Sequence, residues 1–410
     1  MDSDYSFKIF TFGCKLNQYE SQLLRENLIV GGWQEKDEPQ VFIINSCAVT
    51  SRAENKVRDL VRKIRKNRPS SKIIVCGCMV GLHKNVEGAD LLFENQQKNK
   101  IVELLTKSSP KKRYISYFEG HSRGFVKVQD GCNNFCSYCI IPYLRGRSRS
   151  RKREEILEEV RCLVGNGYRE VVLSGVCLGD YGKDLYREYR LVNLLDDVLK
   201  LGGNFRIRLS SIEPKDIGEA LIDFIAQNPR IARHLHIPFQ NGDDFILKKM
   251  NRPYTQKDYL ELVERVKTKI EDICITTDII VGFPLEEETP FKNTLDFLKR
   301  IRPLKTHIFT YSRRPFVASG KFIQQVYPWQ VKQRRRFLEK ETSILGLEEK
   351  RRFVGKTLEA IMEKRGQALT TNYIRIKLPC EFYSQDLFFV KVVSVDQESI
   401  KVDVTPRLLS

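Results

Sequence analysis

Three cysteines within eight residues constrain this chain more than any other feature of its sequence. Cys132, Cys136 and Cys139 have the spacing C-x3-C-x2-C, and Gly131 lets the loop turn tightly before the first of them. Three thiolates on one loop can hold three irons of a 4Fe-4S cube and leave the fourth iron open for chemistry. A structural zinc site more often has four ligands in C-x2-C pairs, and no fourth ligand stands at usable spacing. The loop is therefore predicted to hold a reactive iron-sulfur cluster.

A series of alternating strands and helices surrounds this loop. Helical stretches such as Glu154–Val164 and Tyr259–Ile270 separate the predicted strands. Six βα units fit an open or partial barrel, whose active site lies at the carboxyl ends of the strands. The six predicted strands are Phe125–Gln129, Val171–Ser174, Arg206–Ser210, His234–Phe239, Cys274–Val281 and His307–Tyr311.

The first hundred residues form a separate βαβαβ pattern, which predicts a small doubly wound sheet. Cys14, Cys47, Cys76 and Cys78 each stand at or after the end of a predicted strand. Parallel strands bring their carboxyl ends to one edge of a sheet, so three of these thiolates can converge there. From the residues alone, a second cluster and a set of buried structural cysteines remain equally open. The predicted elements are strands Phe7–Phe12, Val41–Ile44 and Lys72–Val75, and helices Asn17–Val30 and Arg52–Arg68.

The last part of the chain changes to short strands after a charged helix over Gln330–Arg352. Four such strands with turn residues between them predict a small antiparallel barrel of the OB type, a common nucleic-acid reader. A polar, basic stretch over 107–120 separates the first two parts. We therefore expect an α/β protein with domains at 1–108, 118–350 and 351–410. The C-terminal strands are predicted at Lys356–Glu363, Asn372–Leu378, Leu387–Val395 and Ile400–Val404.

A net charge of +18 indicates an anionic partner, and nucleic acid is the first candidate because clustered cations displace counterions from phosphates. A gain in solubility is the alternative explanation. The run Leu144–Arg153 directly follows the cysteine loop, which favours phosphate contacts over a merely solvated face. Its predicted RNA-binding side chains are Arg145, Arg147, Arg149 and Arg151.

Other features limit the location and chemistry of the chain. No apolar run approaches the ~20 residues of a membrane span, and the start Met1–Tyr5 lacks the basic and apolar regions of a secretory signal. We therefore expect a cytoplasmic protein with no membrane partner, in which the eleven cysteines do not form a disulfide framework. The histidines His121, His234, His236 and His307 are isolated in sequence and are interpreted as packing or polar strand residues.

The C-x3-C-x2-C motif, with an aromatic residue before its last cysteine, resembles the signature of the radical S-adenosylmethionine superfamily. The resemblance implies that Cys132, Cys136 and Cys139 are the catalytic cluster ligands and that S-adenosylmethionine chelates the open iron. Cleavage of this cofactor would give a 5′-deoxyadenosyl radical. Ser174-Gly175-Val176 resembles the glycine-containing cofactor motif, although an ordinary strand-to-loop turn fits equally. The cofactor contacts implied by the resemblance are Ser174, Gly175 and Glu213.

The N-terminal strings T-F-G-C-K-L-N-Q-Y-E-S, N-S-C-A-V-T and G-C resemble the methylthiotransferase N-terminal domain. The resemblance implies a second 4Fe-4S cluster on Cys14, Cys47 and Cys78, whereas Cys76 is expected to pack inside its strand. It covers nearly the whole chain, and the C-terminal part resembles a TRAM domain, an RNA-binding module. The sequence departs from the family pattern at Leu285, at Phe239 and Asn241, and over Pro315-Phe316-Val317-Ala318.

Within this family, Lys15-Leu16-Asn17-Gln18-Tyr19-Glu20 and Cys47-Ala48-Val49-Thr50 resemble the branch that acts on threonylcarbamoyladenosine of tRNA. The implied reaction adds a methylthio group to C2 of that adenine, 3′ of the anticodon, with two molecules of S-adenosylmethionine and two clusters. The implied partners are tRNA and an electron donor such as a flavodoxin or ferredoxin. Three alternatives stay open: a methylthiotransferase for isopentenyladenosine, a radical enzyme of another class, and a non-catalytic iron-sulfur RNA-binding protein.

Overall fold

A five-stranded, all-parallel sheet forms the N-terminal domain. The structure is a computed structural model and describes residues 5–397 and 400–405, without the side chain of residue 405. Met1–Asp4, from which with Tyr5 the absence of a secretory signal was predicted, lie outside the described residues. The end of the third predicted domain, beyond residue 405, also lies outside them. The domain comprises strands β1 (Ser6–Thr11), β2 (Gln34–Glu35), β3 (Val41–Ser46), β4 (Lys72–Gly77) and β5 (Leu91–Phe93), and helices α1 (Lys15–Val30), α2 (Ser51–Asn67) and α3 (Asn99–Thr106).

The order of this sheet is β2-β1-β3-β4-β5. Every residue of β3 is buried, as expected for a central parallel strand covered on both faces. One face packs against α2, and the other packs against α1 and α3. The predicted doubly wound sheet is therefore confirmed. Strands β2 and β5 were not predicted, because two and three residues carry too little periodicity to be recognised.

Six parallel strands form the central domain and follow one another around an open barrel. They belong to two three-stranded sheets, which isolated parallel bridges join at Ile207–Ile231 and Ser211–His236. The (βα)6 prediction is confirmed. The central elements are β6 (Gly124–Lys127), β7 (Gln129–Asp130), α4 (Ile141–Arg145), β8 (Arg149–Ser150), α5 (Arg153–Gly165), β9 (Glu170–Ser174), α6 (Leu191–Lys200), β10 (Arg206–Leu209), α7 (Glu219–Gln227), β11 (His234–His236), α8 (Asp244–Lys249), α9 (Gln256–Lys269), β12 (Cys274–Val281), α10 (Glu288–Ile301) and β13 (Lys305–Thr310).

A long helix, α11 (Pro328–Arg351), leads into a nearly closed antiparallel barrel of five strands with the order β16-β15-β14-β17-β18. The prediction had four strands and missed β15, because this strand has only four residues after the turn at Gly366. None of the helices within residues 5–397 has the length and apolar character that a membrane crossing needs. The strands are β14 (Thr357–Lys364), β15 (Gln367–Thr370), β16 (Arg375–Lys377), β17 (Phe388–Val395) and β18 (Ile400–Thr405).

A buried charge cluster joins the two barrels. Glu170 on β9 accepts from Arg206 Nε at 2.6 Å and from Arg208 Nε at 2.8 Å. The same two arginines donate to the backbone oxygens of Leu369 and Thr370 on β15, each at 3.1 Å. Burial alone would raise the pKa of Glu170, but Arg208 and Arg206 hold that pKa well below its usual range. The C-terminal barrel is thus fixed against the amino-terminal ends of the central strands.

Replacing Glu170 with Gln should destabilise the protein by about 3 to 5 kcal/mol, because it leaves buried guanidinium groups without a counter-charge. The pKa of Glu170 is depressed in the folded state, so its stabilisation is present above its unfolded pKa of roughly 4.3 and is lost as the pH falls below that value. Urea unfolding at pH 7 and pH 4 should therefore show a larger effect of Glu170→Gln at pH 7. Exposed Glu188→Gln is the matched control, and equal unfolding midpoints for the two variants would contradict the assignment.

Candidate active site

The cysteine loop lies between β7 and α4, at the carboxyl end of the central barrel. Gly131 has φ +72°, and a Cβ at this position would lie 2.0 Å from the backbone oxygen of Arg147. The amide of Cys132 donates to the backbone oxygen of Gly146 at 3.1 Å, which closes the base of the loop. Cys132 is buried, whereas Cys136 and Cys139 are half-buried. Three thiols therefore face a small region that backbone contacts shape in advance.

The segment 249–252, which is distant in sequence, holds the tip of this loop. The amide of Ser137 donates to the backbone oxygen of Met250 at 2.9 Å, and its hydroxyl donates to that of Lys249 at 2.7 Å. Buried Arg252 lies 3.5 Å from Cys136 Sγ through Nη1 and 2.7 Å from Glu213 Oε2 through Nη2. Neither Arg252 nor this support was predicted. No sequence signal pointed to them beyond the family resemblance, which covers nearly the whole chain.

The surroundings of the three free thiols shift their pKa values in different directions. Burial raises the pKa of Cys139 to about 12 and raises the pKa of Cys136, while a hydrogen bond with Cys177 lowers that of Cys132. Iron-sulfur ligation requires thiolates, so loading must release protons. The three-cysteine donor set and the cradle at Gly131 fit a 4Fe-4S cube.

The predicted cofactor-contact residues line the same end of the barrel. Ser174 ends β9, and a Cβ at Gly175 would lie 2.8 Å from Gln129 Oε1. Glu213 follows β10 and also accepts a 3.0 Å hydrogen bond from the Tyr254 hydroxyl. Direct contact of these residues with the cofactor stays a prediction.

Sequence reasoning missed Cys177, which lies in the loop after β9. Its thiol interacts with that of Cys132, and Asn134 Nδ2 donates to it at 3.6 Å. Nothing in the sequence marks this residue, because the contact joins two loops more than forty residues apart.

The N-terminal cysteines gather at the carboxyl edge of the five-stranded sheet. Cys14 precedes α1, Cys47 follows β3 and Cys78 follows β4. A Cβ on Gly13, whose φ is +103°, would lie 2.8 Å from Cys47 Cβ, so only glycine permits this approach. Cys14 and Cys78 both act electrostatically on Cys47, and burial raises the pKa of Cys47 to about 11. The predicted convergence is therefore seen in the geometry, and three thiols of this kind fit a second cube.

Hydrogen bonds between strand ends fix this edge. Asn17 Nδ2 donates to the backbone oxygens of Phe12 and Ser46, at 2.8 and 3.0 Å. The Ser46 hydroxyl donates to the backbone oxygen of Cys76 at 2.6 Å and accepts from the amide of Met79 at 3.2 Å. Cys76 itself is fully buried in the apolar core beneath α1, in agreement with the packing role predicted for it.

The basic run after the cysteine loop divides into two sets. Arg145 is buried and its Nη1 binds Glu20 at 3.0 Å and Asp130 at 2.9 Å, while Arg151 binds Glu159 at 2.6 Å. These two side chains are committed to internal ion pairs, which corrects their predicted RNA contact. Arg147 and Arg149 are exposed, and their RNA contact stays a prediction.

Two departures from the family pattern carry backbone strain. Leu285 has φ +70° and Phe316 has φ +67°, in the left-handed region that favours glycine. The resemblance places glycine at both positions, so the backbone shape is retained although the glycine is lost. Each bulky residue in this region costs roughly 1 to 2 kcal/mol.

A cleft of about 210 Å³ opens between the two cysteine groups. Val49 and Thr50 of the N-terminal domain, Cys139 of the loop and Asp278 of β12 line it together. Deeper in the barrel, His236 lies 3.2 Å from Asp278, and the His236 and His307 rings are 5.7 Å apart. Although these histidines are isolated in the sequence, neighbouring strands bring His236 and His307 together; their interpretation as polar strand residues stays a prediction.

Comparisons with known proteins agree with this architecture. Residues 126–298 match the model of the radical SAM superfamily, and residues 6–102 match that of uncharacterized protein family UPF0004. The chain is 38% identical to threonylcarbamoyladenosine tRNA methylthiotransferase MtaB of Chlamydia pneumoniae, with 89% of each chain covered. It is 35% identical to tRNA-2-methylthio-N(6)-dimethylallyladenosine synthase of Desulfitobacterium hafniense, with 86% of this chain and 85% of the relative covered.

Among solved structures, the radical S-adenosylmethionine methyltransferase TsrM of Kitasatospora setae shares the fold, with a TM-score of 0.57, 13% identity and 77% of each chain covered. The open barrel with its cysteine loop defines the radical S-adenosylmethionine class. The chain belongs, more narrowly, to the family of radical S-adenosylmethionine tRNA methylthiotransferases. Its cofactors are accordingly S-adenosylmethionine and 4Fe-4S clusters, and its substrate is tRNA.

Gly131→Ala should disable the cysteine loop without unfolding the barrel, because the added Cβ meets the Arg147 carbonyl in a positive-φ conformation. The yield of 5′-deoxyadenosine under anaerobic reduction should fall by on the order of tenfold to 100-fold. Gly165→Ala is the matched control, since its Cβ meets open space. Normal iron content and product yield in Gly131→Ala would show that the loop tolerates the displacement.

Proposed function

We propose that this enzyme converts N6-threonylcarbamoyladenosine, 3′ of the anticodon of tRNA, to its 2-methylthio derivative. The reaction would use two molecules of S-adenosylmethionine and two 4Fe-4S clusters. The ligands would be Cys14, Cys47 and Cys78 for one cluster, and Cys132, Cys136 and Cys139 for the other. The domains would be the predicted units 1–108, 118–350 and 351–410, the last acting as a TRAM module.

The observation that carries the proposal is the rigid link between the two cysteine groups. Arg145 ends α4, just after the cysteine loop, and its Nη2 donates to Asn17 Oδ1 at 2.5 Å, beside the N-terminal cysteines. Cys14 and Cys78 both act electrostatically on Arg145. In the proposed transfer, the source of sulfur and the source of the radical must both face one substrate atom. The Arg145–Asn17 hydrogen bond would hold the two cysteine groups at a fixed distance from each other.

When bound, the loop cluster supplies an electron that cleaves S-adenosylmethionine to a carbon radical, which can activate a C–H bond that lacks useful acidity. The side chains of the protein position the groups around the cluster. Arg252 would orient Cys136 and Glu213, and Gln129 Oε1, which accepts from the amide of Cys177 at 2.9 Å, would hold the loop after β9.

An aromatic and basic rim beside the loop supports a tRNA substrate. Arg147 lies 4.6 Å from the ring centre of Phe135, and Phe135 meets Tyr143 edge to face at 5.8 Å. Tyr143 and Phe316 expose 51% and 69% of their surface, although both are apolar rings that would normally be covered. Unpaired bases stack on such rings, and cations beside them bind the phosphates.

The threonylcarbamoyl branch is favoured by the strings Lys15–Glu20 and Cys47–Thr50. Relatives with either substrate in their names have similar identity, so overall identity does not separate the branches. A flavodoxin or ferredoxin would supply electrons in the cytoplasm. The alternative substrate is isopentenyladenosine of tRNA.

Replacing Cys14, Cys47 and Cys78 together with Ala should lower the iron content from about eight to about four per chain. The loop cluster should persist, so 5′-deoxyadenosine should still form while methylthiolation stops. Iron and sulfide analysis with product chromatography makes this measurement. About four irons in the unmodified protein would indicate a radical enzyme of another class.

Mass spectrometry of tRNA nucleosides tests the substrate directly. A strain that lacks the gene should lose 2-methylthio-N6-threonylcarbamoyladenosine and accumulate its unthiolated precursor. Expression of the gene should restore the product, and expression of a Cys132→Ala variant should not. Loss of the 2-methylthio isopentenyl nucleoside instead would assign the enzyme to the other branch.

A further inference from the structure

Lys15 is a cation inside the central barrel without an ion-pair partner. It is the first residue of α1, directly after Cys14, and its Nζ lies 5.9 Å from the ring centre of Phe125 on β6. Within residues 5–397 and 400–405, no carboxylate or hydrogen-bond acceptor is paired with this Nζ. A desolvated ammonium group in this setting is costly unless an anion comes to it.

Strand register places Lys15 above the barrel lumen. Phe125 is paired with Val172, and Val172 with Arg208, so these side chains share one face of the sheet. Glu170, on the same face of β9, binds Arg206 and Arg208. Lys15 Nζ lies beside Phe125 on this face, and the charges of Glu170 on β9 and Asp278 on β12 both act on it, which places it between the two halves of the barrel.

The other half of the barrel supplies the opposite wall. Asp278 is paired in register with His307, and His236 with Thr276. The charges of Asp278 and Arg208 both act on Lys15, and the charge of Lys15 acts on His307. Asp278 also lines the cleft beside Cys139, so the cleft and the Lys15 region share a wall.

The remaining charges of the lumen already have partners. Glu170 is neutralised by Arg206 and Arg208, and Asp278 lies 3.2 Å from His236 Nε2. Lys15 is the one lumen cation among the described residues that has neither an ion pair nor a hydrogen bond at its charged end. An anionic group that reached this region would therefore find an unpaired ammonium group beside the cleft.

We propose that Lys15 is a specificity-determining residue that receives the carboxylate of the threonylcarbamoyl group. This inference rests on the proposed function, because it concerns the N6 substituent of the same adenine. A threonylcarbamoyl group carries a free carboxylate, whereas an isopentenyl group is an uncharged hydrocarbon. An ion pair with Lys15 would therefore select the first substrate, while the rest of the adenine site is common to both.

The test compares two synthetic anticodon stem-loops of the same sequence. One carries N6-threonylcarbamoyladenosine, and the other carries its carboxylate methyl ester, which removes the negative charge and adds one methyl group. The reconstituted full-length enzyme should favour the free acid in kcat/KM by on the order of tenfold or more. Lys15→Gln should lose this preference because kcat/KM falls for the free acid and stays unchanged for the ester. Lys15→Arg keeps the charge and should retain most of the preference.

Lys257→Gln is the matched control. Lys257 lies on α9 with 82% of its side chain exposed, so the variant makes the same charge change away from the lumen and should keep the preference. Because Lys15 adjoins Cys14, iron content is measured for each variant. Fluorescence anisotropy of both stem-loops provides a second measure of the preference that does not depend on turnover.

The outcomes are distinct. A Lys15→Gln enzyme that keeps the wild-type preference in both binding and kcat/KM would overturn the role of Lys15 and leave the proposed function intact. A wild-type enzyme that modifies isopentenyladenosine stem-loops but neither of these would overturn the proposed function, and the assignment of Lys15 with it.

Discussion

One buried carboxylate holds the two halves of the active site together. Glu20 on α1 binds Lys98 from its own domain, Lys127 of β6 at 3.0 Å and Arg145 at 3.0 Å. Burial alone would raise the pKa of Glu20, but the three cations hold that pKa well below its usual range. Removal of one member of such a cluster leaves the others charged and desolvated, so the cluster tolerates little displacement. Charge pairing across the domain boundary therefore helps to set the separation of the two cysteine groups.

Local patterns predicted much of the fold and of the site. The spacing of Cys132, Cys136 and Cys139 is contained in one loop, and the convergence of Cys14, Cys47 and Cys78 follows from the geometry of parallel strands. Glu20, Arg252 and Cys177 were missed for a common reason. Each acts through a partner more than forty residues away, and such pairing leaves no periodic trace in a single sequence. The short strands β2, β5 and β15 escaped for the opposite reason, since they contain too few residues to show a pattern.

The two ends of the central barrel differ in what covers them. At one end, Glu170 and its arginines bind the backbone of β15, so the C-terminal barrel closes the lumen. At the other end, the cysteine loop and the N-terminal sheet leave a cleft between them. In the proposed reaction, the substrate would approach from the cysteine end, with C2 of the adenine facing the cysteines and the N6 substituent directed through the cleft toward the polar lumen.

Charge inside the protein and charge available to RNA are also separated. In the run after the loop, Arg145 and Arg151 lie in buried ion pairs, whereas Arg147 and Arg149 between them are exposed. Arg145 ties the end of the loop to Glu20 and Asp130, and Arg147 lies against Phe135 of the aromatic rim. The net charge of +18 thus overstates the positive charge that is exposed to a phosphate backbone at this edge. Part of a basic run can stabilise the fold while the rest binds the partner. Counting Lys and Arg predicts the class of partner, whereas their division between interior and surface decides where that partner binds.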